Sequence, residues 1–300
     1  MTVKVLVCDK ITDEGIKLLE EKGYEVTKGW NKPKPELCTC VSDYDVLIVR
    51  SATKVTADLL DDAKRLKVVG RAGEGLDNID LKRAAELGIQ VVNTPQVAAV
   101  SVAELTIGQM LALARGIVEG ALSLRKGQWI KADLMGFELA GKTLGIIGCG
   151  NIGKAVEKLA LCFGMNVVGV DICVSDKFVS LEEMLPRADF VTIHVPLTPH
   201  TRHTVSAREF TMMKDGVMLV NGSRGGVVDE DALYEALVSG KVKGAALDVF
   251  EEEPPKNSKL LSLKNVQGTP HIGAQTWEAQ VKSSVLIAER VIAVLDKIMS

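Results

Sequence analysis

Aromatic side chains are scarce, at 4% of 300 residues, so any core has to be assembled from Val, Leu, Ile and Ala within the 47% that is apolar. No run approaches the roughly 18 uninterrupted apolar residues of a membrane-spanning helix. The opening stretch "MTVKVLVCD" is too short for a secretory signal, because Asp9 ends it; it reads as a first β-strand, and a cytoplasmic location is expected. Positive charge is not in excess. The formal net charge of −3 argues against a nucleic-acid surface and against a polybasic membrane patch. The six cysteines, Cys8, Cys38, Cys40, Cys149, Cys162 and Cys173, include no CxxC pair and have no histidine at a zinc spacing. Free thiols are expected, and no metal. Repeats and low-complexity tracts are missing, and a short form without a carboxy-terminal regulatory domain is expected. Histidine is rare as well, with only His194, His200, His203 and His271.

What is present is an alternation of Val- and Ile-rich runs with amphipathic helical patterns. Eleven strands are expected: "KVLVCD", "EVTK", "DVLIVR", "KVVGRAG", "QVVNTP", "KTLGIIG", "NVVGVD", "FVTIHV", "VMLVNGS", "GAALDV" and "NVQGTP". Continuous apolar strands separated by helices imply parallel sheets covered on both faces. Eleven are too many for one ordinary sheet, so the expected fold is α/β, with two doubly wound parallel-sheet domains and the ligand cleft between them. The boundaries are placed at residues 1–97 plus 273–300 for a substrate-binding domain and 98–272 for a Rossmann dinucleotide-binding domain. The divider is a helical stretch over residues 101 to about 126. Ser101 and Glu104 have the spacing of a capping box. The stretch is apolar on more than one face, which predicts burial between domains or against a second subunit, and hence a homodimer.

The segment "GKTLGIIGCGNIGKAVEKLALCFG" carries GxGxxG at Gly148, Gly150 and Gly153, between a strand and a helix. That context gives the motif meaning. Gly148 permits the tight turn, Gly150 lets the backbone approach a pyrophosphate, and Gly153 allows close helix–strand packing. The helix N-terminus, with Asn151 and Ile152, faces the anion. Asp171 ends the next strand, where a carboxylate accepts both adenosine ribose hydroxyls of NAD and repels the 2′-phosphate of NADP. NAD is the expected cofactor.

Other charged groups also stand at strand ends. Arg224 follows a strand beside Gly225 and Gly226, where its fork can hold a carboxylate. Glu251, Glu252 and Glu253 follow the strand that ends at Asp248, and His271 follows the last strand. A cation for a carboxylate, a carboxylate for a histidine, and a histidine able to exchange a proton form a working set for oxidising a 2-hydroxy acid.

The blocks "GCGNIG", "NGSRGGVVDEDAL", "LDVFEEEP" and "TPHIGAQT" resemble, in order and spacing, those of the D-isomer-specific 2-hydroxyacid dehydrogenase family. The amino-terminal blocks "LIVRSATKV", "VVGRAGEGLDNID" and "VVNTPQVAAVSVAEL" are similar to the branch that oxidises 3-phosphoglycerate. The resemblance implies Arg224 on the substrate carboxylate, Glu253 paired with the histidine, and His271 as acid/base. It implies Asp248 near the nicotinamide carboxamide, with His194, Pro196, Asn221, Gly222, Ser223, Gly273 and Ala274 lining the cofactor. Arg50, Ser51, Gly73, Glu74 and Gly75 become substrate contacts. Glu74 departs from the pattern, which often has a small hydroxyl residue there, and residues 96–100 differ from the commoner glycine- and asparagine-bearing loop.

The expected chemistry is therefore hydride transfer from C2 of a 2-hydroxy acid to the nicotinamide, with neutral His271 taking the hydroxyl proton and Glu253 stabilising the imidazolium. Domain closure excludes water. Arg50 and Lys54, with Arg71 and Lys131 as weaker candidates, point to a distal phosphate, and so to 3-phospho-D-glycerate oxidised to 3-phosphohydroxypyruvate at the entry to serine synthesis. A glyoxylate or hydroxypyruvate reductase is the second reading. An NADH-sensing binding protein of the corepressor type is the third. His194 is read as cofactor lining, and His200 and His203 as surface residues without a role.

Overall fold

The computed structural model describes residues 2–30, 32–172 and 178–299; Cys173 lies outside them. The chain divides into two compact units, residues 1–98 with 275–300, and residues 99–274.

The first unit is built on five parallel strands: β1 (Lys4–Val7), β2 (Glu25–Lys28), β3 (Val46–Val49), β4 (Val68–Arg71) and β5 (Gln90–Asn93). They lie in the order β2-β1-β3-β4-β5. Side chains of a strand alternate between faces, and here both faces are covered. Val5, Val7, Val46, Ile48 and Val68 pack with Ile16 and Leu19 of the helix Asp13–Glu21 and with Ile287, Val291 and Leu295 of the helix Trp277–Met299. Leu6, Leu47, Val49 and Val69 pack on the opposite face with Leu59 and Leu60. Double coverage explains why these strands read as unbroken apolar runs. Each buried aliphatic side chain contributes about 1.5–3 kcal/mol. The final helix belongs to this unit because glycines admit it: a Cβ on Gly15 would lie 2.4 Å from the Ser284 carbonyl oxygen, and one on Gly70 would lie 2.9 Å from Val291.

The second unit holds β6 (Thr143–Ile147), β7 (Asn166–Val170), β8 (Phe190–Ile193), β9 (Val217–Asn221), β10 (Val242–Leu247) and β11 (Val266–Gly268), all parallel. Their order is β11-β10-β9-β8-β6-β7. After β7 the winding reverses, so β6 and β8 are neighbours and their carboxyl ends flank a topological switch point. Ligands of open α/β sheets bind there.

The stretch after residue 98 differs from expectation. Its helix begins at Ala99, so Ser101 lies inside the first turn, buried, and is not the N-cap. The helix stops at Arg115 because Gly116 turns left-handed, at φ +60, and a second helix, Ile117–Arg125, leaves at 67°. The first buries Val102, Ala103, Ile107 and Met110, whereas the second leaves Ile117, Val118, Leu122 and Leu124 exposed. Among the described residues no single helix is long and apolar enough to cross a membrane.

Candidate active site

The glycine turn closes the switch point of the second unit. Gly148 sits at φ +94, and a Cβ there would lie 2.6 Å from the His194 carbonyl oxygen. The ends of β6 and β8 therefore touch only because this residue has no side chain. A Cβ on Gly153 would lie 2.2 Å from the Gly148 carbonyl oxygen, so this glycine lets the helix Asn151–Cys162 start close against its strand. Gly150, in contrast, faces open space, since a Cβ there would meet no atom within 4 Å. That is the face a pyrophosphate needs, and the helix beginning at Asn151 and Ile152 presents its N–H groups to it.

Asp171 follows β7, and its Oδ2 accepts the Cys149 N–H at 2.7 Å, which ties the carboxylate to the glycine turn. The Cys149 thiol is buried behind that turn. Burial first, then the Asp171 charge, push its pKa up to about 11, so it is an inert packing group. His194 follows β8. Its Nε2 meets the Thr192 hydroxyl at 3.0 Å, while Nδ1 is buried and finds no hydrogen-bond partner among the described residues. Burial lowers the ring's pKa to about 4, which keeps it neutral. The open face at Gly150, the carboxylate at the end of β7 and the orphaned ring nitrogen together fit a dinucleotide. No group of three or more potential metal ligands occurs among the described residues.

His271 lies three residues beyond β11, in a left-handed backbone conformation at φ +52. Such a conformation costs a non-glycine residue about 1–2 kcal/mol, and Asp248 supplies the compensation. The Asp248 carbonyl accepts the His271 N–H at 2.9 Å. Its carboxylate accepts Ile272 N–H and Gly273 N–H at 2.8 Å each, and the Thr269 hydroxyl at 2.6 Å. The ring thereby points Nδ1 at Glu253 Oε2, 2.8 Å away. Burial, the largest single influence, raises the Glu253 pKa, but the hydrogen bond and charge of His271, the Phe250 N–H and the Arg224 charge outweigh it, and the net direction is down. An ionised carboxylate only accepts, so Nδ1 carries the proton and Nε2 is left as the ring's other working nitrogen.

Arg224 is presented by a turn that its neighbours build. Asn221 Nδ2 donates to the Arg224 carbonyl at 3.1 Å, and Asn221 Oδ1 accepts both the Ser223 N–H and hydroxyl, at 3.1 and 2.8 Å. Asn221 and Ser223 are buried, and their polar groups shape this turn. Gly225 is required by close approach, because a Cβ there would lie 1.8 Å from the Phe250 carbonyl oxygen. Arg224 and the segment carrying Glu253 are thus seated against each other. Gly222, Gly273 and Val102 are neighbours beside them; a Cβ on Gly222 would lie 3.9 Å from Val102, and one on Gly273 3.2 Å. Pro196 is exposed after β8, and Ala274 ends the unit.

In the first unit, Arg50, Ser51 and the turn of Gly73, Glu74 and Gly75 all stand at the carboxyl ends of β3 and β4. Asp9 Oδ2 accepts the Arg50 N–H at 2.6 Å, and Arg50 Nη2 donates to Gln275 Oε1 at 3.1 Å. Burial, opposed by Asp9, lowers the Arg50 pKa. The Glu74 side chain is exposed while its carbonyl accepts Asn93 Nδ2, and the Arg71 guanidinium packs against Gly73. Lys54 and Lys131 are exposed.

Sequence reasoning gave Asp248 only a cofactor contact and His203 no role, and it missed Thr269 and Gln109. Asp248 is the scaffold of the His271 turn. Thr269 joins it, and Gln109 Nε2 reaches Thr269 Oγ1 at 3.1 Å. The signal for it was a lone amide in the apolar pattern "LTIGQMLALAR". His203, read as a residue without a role, stands between Glu251 Oε1 at 3.2 Å and Asp229 Oδ2 at 3.7 Å. Its N–H donates to the Gly226 carbonyl at 2.8 Å, so it braces the loop after Arg224.

A Rossmann unit with a histidine–carboxylate pair and an arginine defines an NAD-linked dehydrogenase site of the 2-hydroxy acid type. Comparison with known proteins makes this specific. Residues 107–273 match the family described as "D-isomer specific 2-hydroxyacid dehydrogenase, NAD binding domain". The chain is 50% identical to D-3-phosphoglycerate dehydrogenase of Methanocaldococcus jannaschii, over 98% of this chain and 57% of that one. It is 49% identical to hydroxypyruvate reductase of Thermotoga maritima, over 96% of this chain and 97% of that one. The TT0316 protein of Thermus thermophilus has the same fold, with a TM-score of 0.91 and 39% identity over 98% and 97% of the two chains. The chain belongs to the D-isomer specific 2-hydroxyacid dehydrogenase family. The cofactor of the matched domain is NAD. The chain spans little more than half the length of the Methanocaldococcus relative.

Proposed function

We propose that the protein is a phosphoglycerate dehydrogenase, oxidising 3-phospho-D-glycerate to 3-phosphohydroxypyruvate with NAD and so supplying serine synthesis. The observation that carries the dehydrogenase reading is the 2.8 Å contact between His271 Nδ1 and Glu253, with Arg224 close enough to bias that carboxylate. NAD, when bound, supplies the hydride acceptor. Gly148, Gly150, Gly153, Asn151 and Ile152 would hold its pyrophosphate and Asp171 its ribose, with His194 and Asp248 assigned to the nicotinamide end. Arg224 binds the substrate carboxylate and orients the 2-hydroxyl toward His271. With Nδ1 donating to Glu253, neutral His271 takes the hydroxyl proton at Nε2, and Glu253 stabilises the imidazolium. Reduction runs the same proton in reverse.

A phosphate on the substrate is supported by the cationic groups at the strand ends of the first unit, Arg50 and Arg71, with Lys54 nearby in sequence; Ser51, Gly73, Glu74 and Gly75 complete the proposed contacts. A hydroxypyruvate reductase is the second reading, favoured by the relative whose whole length this chain matches. Steady-state assays with 3-phosphoglycerate, D-glycerate and glycolate, each with NAD and NADP, separate the two. The proposal requires the highest kcat/KM with 3-phosphoglycerate and NAD; preference for D-glycerate favours the reductase, and no turnover with any substrate favours a nucleotide-sensing protein. The proposed assembly is a homodimer, supported by the exposed Ile117, Leu122, Leu124, Trp129 and Met135, and a cytoplasmic location goes with this role.

A further inference from the structure

We propose that Gln109 and Thr269 are positioning residues for His271, acting by fixing the carboxylate of Asp248 on which the His271 turn hangs. This rests on the reading of His271 as the acid/base group.

The hydrogen-bond directions follow from the groups themselves. Asp248 is 1% exposed, and as a carboxylate it only accepts. The 2.6 Å contact therefore uses the Thr269 hydroxyl hydrogen. With that hydrogen committed, the Thr269 oxygen has only lone pairs to offer, and Gln109 must face it with an N–H, at 3.1 Å. This places the Gln109 oxygen where, buried, it finds no partner among the described residues. Turning the amide over would set two acceptors against each other at Thr269, so the bare oxygen is the less costly arrangement. The relay runs from the helix Ala99–Arg115 through Thr269 to the Asp248 carboxylate, and from that carboxylate into the N–H groups of Ile272 and Gly273, beside the His271 N–H that the Asp248 carbonyl accepts. Those N–H groups hold His271 at φ +52 and aim Nδ1 at Glu253. The effect of Gln109 and Thr269 passes through the backbone of this turn.

The test uses the full chain and three variants. Thr269→Val removes the hydroxyl at nearly constant volume, Thr269→Ser keeps it, and Gln109→Met removes the donor to it. Thr269→Val is expected to lower kcat roughly tenfold to a hundredfold, as misplacing a reacting group does, with KM for NAD changed less than twofold. Thr269→Ser is expected to recover most of the loss, and Gln109→Met to fall between. A second readout needs no turnover. With only four histidines, 15N-histidine NMR resolves the His271 ring, assigned by its loss in His271→Gln. The wild type is expected to show the Nδ1–H tautomer, and Thr269→Val to shift it toward Nε2–H. The proposal is overturned if Thr269→Val keeps both wild-type kcat and the wild-type tautomer, or if Thr269→Ser is as impaired as Thr269→Val. If the wild type turns over no 2-hydroxy acid, the functional reading fails by itself, and the tautomer measurement still decides the positioning role.

Discussion

At the scale of single residues, the site depends on one ring held in an unfavourable backbone conformation by its surroundings. His271 is useful because Glu253 fixes its tautomer, and Glu253 is ionised because His271, Phe250 N–H and Arg224 offset the cost of its burial. A carboxylate whose native pKa is lowered contributes stability above its ordinary value of 4.5 and loses it as pH falls through the lowered native value. His194 acts in the same direction over a higher window. Held neutral with a pKa of about 4 against an ordinary 6.5, it stays unprotonated where the unfolded chain takes up a proton. Stability is complete above 6.5 and falls between 6.5 and 4. From pH 7 to pH 5 the expected loss at this residue is about 2 kcal/mol. Urea unfolding of His194→Gln at the two pH values should show a drop smaller by that amount; an equal drop would remove His194 as its source. Gln96 gives a second residue-scale prediction. It occupies φ +71, a left-handed conformation that glycine adopts without steric cost. Gln96→Gly should stabilise the first unit by up to about 1 kcal/mol, read as a higher thermal midpoint.

At the scale of elements, strand ends do most of the work. Every proposed catalytic and cofactor group of the second unit lies at or after the end of a strand of the one parallel sheet; the glycine motif with its flanking strand and helix was readable in the sequence, while the switch point between β6 and β8 is fixed by the strand order. All eleven strands were legible, the doubly covered ones as continuous Val and Ile runs and the edge strands Glu25–Lys28 and Val266–Gly268 only as short segments between turns. The glycines, Arg224 and His271 were legible as residues because their types and places at strand ends are unusual together, whereas Glu253 was separated from Glu251 and Glu252 only by the family resemblance. What was not legible is how they are held. That Asn221 and Ser223 shape the Arg224 turn, or that Asp248 accepts from three residues near position 271, depends on side-chain direction at strand ends, which no periodicity encodes. The break at Gly116 was missed for a related reason: apolar residues continue through it, while the left-handed backbone that divides the helix leaves no mark except one glycine. Gly225 supplies the element-scale test. Its Cβ would meet the Phe250 carbonyl, which is backbone and cannot rotate away. Gly225→Ala should therefore separate Arg224 from the Glu253 segment and raise KM for the 2-hydroxy acid at least tenfold, with NADH affinity nearly unchanged. A wild-type KM would show that the close approach is not needed.

For the whole molecule, the second unit carries apolar surface that its own core does not use. Trp129 is 78% exposed and Met135 89%, next to the exposed face of the helix Ile117–Arg125. Exposed patches of this kind mark association surfaces, and a homodimer of 32.2 kDa subunits is the proposed assembly. Sedimentation should give twice that mass, and Leu122→Arg should shift it toward one subunit; a wild-type monomer would contradict the dimer. The chemistry itself is tested most sharply by measuring, on one preparation each of wild type and His271→Gln, both kcat for 3-phosphoglycerate oxidation and the Kd for NADH by fluorescence. Loss of the proposed acid/base group should lower kcat by a factor on the order of a hundred to ten thousand, with the NADH Kd within twofold of wild type. A His271→Gln enzyme that still turns over at near the wild-type rate would contradict the role assigned to that ring.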